Sequence, residues 1–126
     1  MRSATAAMTA AILPAFLALL LLGAPAAAAT QPKRGEFASA EMVLRWINGY
    51  RTHANADKVP AAVQAMSQLG VFRDLETAGI YIGFISGVLQ TNPHKAEALV
   101  ARMFPMPPED QVAIVRAIAY SELPDW

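Results

Sequence analysis

No cysteine occurs among the 126 residues. That excludes disulfides, thiolate metal sites, a thiol nucleophile and lipid attachment at cysteine. Any fold must rest on its apolar core alone. Histidine is nearly as scarce, with only His53 and His94. His53 falls in a polar loop four residues before Asp57, and His94 stands in the first turn of a helix beside Lys95. A metal site needs three or four ligands that converge, so no zinc site and no cofactor is expected.

Catalytic motifs are missing too. No serine lies in G-x-S-x-G, and neither G-x-x-x-x-G-K-[ST] nor G-x-G-x-x-G is present. The acids Glu41, Asp57, Asp74, Glu76, Glu109 and Asp110 sit at helix starts, where capping and the helix dipole account for them. The chain is therefore expected not to be an enzyme, with no catalytic residue, and a small hydrolase ranks behind two non-enzymatic readings.

Charge is absent between Arg2 and Lys33. Within that gap, Ala10–Gly23 is strongly apolar and "APAAAAT" follows with several A-x-A patterns. A basic end, an apolar helix and small residues are what a secretory signal peptide requires. Residues 1–29 are read as that peptide, with cleavage near Ala28 or Ala29. The alternative is a retained anchor, since the uncharged run is long enough to span about 30 Å of hydrocarbon. The apolar core is shorter than a stable span and favours the cleaved peptide. An alanine-rich, exported, cysteine-free chain fits a bacterial periplasm or secreted location.

Without residues 1–29 the chain carries nine basic and ten acidic residues. This balance excludes nucleic acid as a main partner, because phosphate neutralisation needs clustered Lys and Arg. Residues 30–73 are net +3 and residues 74–126 are net −4. Halves of opposite sign attract within one fold, or head to tail between copies.

What remains is helical periodicity. Residues 30–38 read as a flexible leader, and 39–126 as one all-α domain of about five short helices. They run about 39–51, 58–69, 74–90, 93–103 and 108–121. Ser39, Asp57, Asp74 and Asn92 are their N-cap candidates, and Pro93 suits a first helical position. The expected apolar faces are Val43/Trp46/Ile47/Tyr50, Val59/Val63/Met66/Leu69, Leu75/Ala78/Ile82/Ile85/Leu89, Ala96/Leu99/Val100/Met103 and Val112/Val115/Ile118/Ala119. An antiparallel or orthogonal bundle is expected. A short α-solenoid of helix hairpins is the alternative, because a helix pair recurs at about 34–35 residues, the tetratricopeptide length, without that repeat's sequence pattern. The closing "SELPDW" leaves the fifth helix without a hairpin partner, so a C-terminally truncated chain is a further alternative.

Two features stand out within this frame. "AGIYIGFISGVL", Ala78–Leu89, holds Gly79, Gly83 and Gly87 four residues apart. Each glycine costs up to about 1 kcal/mol against alanine in a helix, so a compensating close approach of another helix is expected there. Should that face instead be open, it becomes a docking groove. "RWINGYR" places Trp46, Tyr50 and Arg51 together, residue types enriched at binding hot spots. They are the candidate contacts for another envelope protein. The chain thus reads as a non-enzymatic binding or scaffold module of the cell envelope. The alternative is an accessory protein tethered by an uncleaved N-terminal helix, its contact with membrane made through that segment alone.

Overall fold

The computed structural model describes residues 35–124. The signal-peptide reading, its cleavage sites, most of the leader and Trp126 lie outside them. Among the described residues there are five α-helices and no strand: α1 Ala40–Gly49, α2 Val59–Gln68, α3 Ala78–Thr91, α4 Ala96–Met103 and α5 Pro108–Tyr120. The fold is all-α and bundle-like. No described helix is long and apolar enough to cross a membrane.

Local chemistry sets most of the boundaries. Ser39 is extended (φ −146°), and its Oγ accepts from the Met42 N–H at 3.2 Å, which starts α1. Glu41 and Arg45 pair at 2.8 Å across one turn. Gly70 stops α2 in the left-handed region (φ 74°), where a side chain would be strained. The segment Pro105–Pro108 breaks the chain between α4 and α5, with a cis Phe104–Pro105 peptide.

Three expected caps act differently. Asp57 lies inside a short 3-10 turn, Ala56–Lys58, that Asn55 caps by accepting from the Asp57 N–H. Asp74 takes the Glu76 N–H on its side chain, but a turn intervenes and α3 starts only at Ala78. Asn92 closes α3 rather than opening α4: its amide donates to the Val88 carbonyl at 2.8 Å. Pro93 follows in a turn, and α4 begins at Ala96. The leader also ends in structure. Gly35–Ala38 forms a turn, and Phe37 packs edge-on against Trp46.

The principal helix pairs are α2 with α4 and α3 with α5, and α1 lies against α2. The two main pairs, α2 with α4 and α3 with α5, each skip one helix and are not successive hairpins. Val43, Val63, Met66, Ile85, Leu89, Leu99, Met103 and Ile114 form the centre of one core.

The faces of α1, α2 and α4 follow the expected stripes, apart from the half-exposed Leu69. In α3, Ala78, Ile82, Ile85 and Leu89 are buried, but Leu75 precedes the helix and is 94% exposed. The face of α5 differs from expectation. Its buried positions are Asp110, Ala113, Ile114 and Ala117, with Ser121 just beyond. Val112 and Val115 point outward, 52% and 64% exposed. Both sets obey the i, i+3, i+4 rule. The helix is rolled so that a carboxylate, not the valines, faces inward.

Candidate functional site

Asp110 explains the roll of α5. Its side chain is fully buried and accepts Ser67 Oγ at 2.6 Å, Arg73 Nε at 3.1 Å and Arg73 Nη2 at 3.0 Å. Burial pushes its pKa up. The hydrogen bonds from Arg73 and Ser67 and the Arg73 charge outweigh that and hold it below the ordinary carboxylate value. The same contacts raise the half-exposed Arg73, which also lies 3.8 Å from Glu109. Every lone pair in use here serves to join α2, the 3-10 turn after it and α5. No histidine takes part. The role is structural.

The helix glycines do not behave as a packing seam. A methyl group added at Gly79, Gly83 or Gly87 would meet nothing within 4 Å. Among the described residues, the expected close approach of a second helix is absent there. The reason lies in the orientation of α3: it buries Ala78, Ile82, Ile85 and Leu89 in the core, and the glycines flank that face, Gly79 and Gly83 bordering a hollow beside α5 rather than a tight contact with it. The glycine row forms a shallow channel on the surface, beside Ile80, which is 52% exposed, and the half-buried Phe84.

Two hollows flank α3 and share Gly83. One lies between α3 and α5, about 480 Å³, lined by Leu75, Gly79, Gly83, Val112, Arg116 and Tyr120 among others. The other lies between α1 and α3, about 530 Å³, lined by Tyr50, Arg51, Ile80, Gly83, Phe84 and Gly87 among others. Its walls are mostly apolar, and Arg51 is the charged residue lining it. Burial and the negative Asp57 raise the Tyr50 pKa, so its hydroxyl keeps its proton and remains a donor at the groove. Thr91 closes one end, its hydroxyl donating to the Gly87 carbonyl at 2.9 Å.

The structure therefore brings together two residue sets that the sequence presents as unrelated. Tyr50 and Arg51 come from the end of α1, and Gly83 and Gly87 come from α3. Phe84 is the joint between them. Its ring stands edge-on to Trp46 at 5.4 Å and to Tyr50 at 5.0 Å. Trp46 is half-buried in that cluster, between Phe37, Tyr50 and Phe84. It borders a separate polar hollow with Glu36, Asn55, His53 and Lys58 rather than the apolar groove. No signal in the sequence links the two sets, since the contacts of Phe84 with Trp46 and Tyr50 are tertiary.

Both histidines are exposed. Among the described residues no group of three His, Cys, Asp or Glu side chains gathers to hold a metal ion. No protein-family model, curated protein or solved structure matches the chain.

Proposed function

We propose that this chain is a non-enzymatic binding module of the bacterial cell envelope and that it recognises its partner with the groove between α1 and α3. The observation that carries the reading is the open glycine row. Gly83 and Gly87 line this groove, each weakens α3 by up to about 1 kcal/mol, and no described residue fills the space they leave. The compensation then comes from outside. A groove with Gly83 and Gly87 at its base and Tyr50, Phe84 and Ile80 among its walls suits the apolar face of a partner helix. Arg51 at its edge suits an acidic group on that partner.

Export rests on the N-terminal sequence, "AAILPAFLALLLLG" followed by small residues. The uncharged stretch Ser3–Pro32 also supports the second reading, an accessory protein held at a membrane by an uncleaved N-terminal helix. The N-terminal residue of the purified protein separates the two: Ala29 or Thr30 for the first, Met1 or Arg2 for the second.

The groove is tested by a photo-crosslinking side chain at Thr91, which lines it, with Glu97 on the exposed face of α4 as control. A discrete adduct at Thr91, absent at Glu97 and lost in Arg51→Glu, is the expected result. No adduct, or equal adducts at both positions, contradicts the reading.

A further inference from the structure

The helix α5 has two apolar faces, and the fold uses one. Asp110, Ala113, Ile114 and Ala117 face the core. Val112, Val115 and Ala119 form a second stripe at i, i+3 and i+7, all exposed. Exposed valines at helical spacing give α5 the pattern of a helix with a partner on each side. We infer that the partner on the outer side is a second copy of this chain, and that the outer face of α5 of one copy seats head to tail in the α1–α3 groove of the next. This rests on the groove reading above and names its occupant.

Three observations favour this occupant. The first is charge. Arg51 is the charged residue lining the groove, and the exposed charges along the outer side of α5 are the acids Glu109 and Glu122 at its ends with Arg116 between them. Glu109 and Glu122 stand exposed at the two ends of α5, so an acid reaches Arg51 in either sense of insertion. The second is length. From Val112 to Ala119 the stripe extends roughly 10 Å, and the groove follows α3 from Ile80 to Thr91 for roughly 16 Å, at 1.5 Å per residue. The third is Glu122 itself. It follows the C-cap Ser121 with a left-handed backbone (φ 55°), where glycine is the unstrained choice. Its carboxylate is exposed at the end of the outer face of α5.

The two surfaces are different patches, so the contact is heterologous, and each copy offers one of each. This makes a decisive mixing experiment available. Ile80→Lys blocks the groove, and Val115→Lys blocks the outer face of α5. Both residues are more than half exposed, so both variants fold, and a melting curve verifies this. In sedimentation over a wide concentration range, the purified wild type should form species larger than a monomer. Each variant alone should remain monomeric, its association weakened by roughly tenfold or more. The equimolar mixture should give one-to-one dimers and nothing larger, since each variant retains the surface the other lacks. A wild type that stays monomeric overturns the inference. So does a mixture that stays monomeric while the wild type associates. The Thr91 crosslink separates this failure from that of the groove reading: an adduct with a different protein removes self-association and leaves the groove, and no adduct removes both.

Discussion

Asp110 is the residue on which the orientation of α5 turns. A buried carboxylate is stable only when paired and hydrogen-bonded, and here Ser67 and Arg73 supply three donors. Replacing it by Asn removes the charge that both partners answer. The expected cost is about 1.5–3 kcal/mol, toward the lower end because Arg73 can turn to solvent. Urea unfolding measures it. The pH dependence follows from the direction of the shift. The folded-state pKa of Asp110 lies below its unfolded value, so its contribution is present above the unfolded pKa and is lost as pH falls through the folded one. Melting temperature should therefore drop below about pH 4 in the wild type. In Asp110→Asn that part of the drop should be missing, and a wild-type curve that superimposes on the variant's would refute the assignment.

At the scale of elements, α3 and α5 are the helices whose outer faces remain unused. The exposed positions predict little effect on stability. Leu75→Ala and Val115→Lys should each change it by less than about 0.5 kcal/mol, whereas Phe84→Ala, which removes a ring edge-on to both Trp46 and Tyr50, should cost about 2 kcal/mol. Thermal melts rank the three directly. The same helices show how far the sequence is legible. Helix number and type follow from periodicity, because core-facing stripes recur at 3.6 residues in α1, α2 and α4. The register of α5 does not follow, because valines and a row of small residues with one acid satisfy the same spacing. Only a distant Arg73 and Ser67 decide between them. The caps at Asn92 and Asp74 fail for a related reason: Asn and Asp bond equally well to a helix end, a helix start or a turn. In the groove, the glycines and the Tyr50–Arg51 pair are each visible in the sequence. Their meeting is not, since it depends on how α1 lies across α3.

Taken as a whole, the described residues form one core with a channel open along its central helix. Stability comes from the buried sides of α2, α3, α4 and α5, and the recognition proposed above uses the side of α3 that the core leaves free. These two demands separate cleanly on the glycine row. A protein optimised for stability alone would carry alanine at 79, 83 and 87, because a methyl group there touches nothing and removes glycine's entropic cost. The most direct measurement is therefore the melting temperature of the triple variant Gly79→Ala/Gly83→Ala/Gly87→Ala. An open channel predicts a gain of about 1.5–3 kcal/mol, which for a domain of this size raises the melting temperature on the order of 10 °C. A fall in melting temperature would mean that a helix does come close at these glycines, and the docking channel would then not exist.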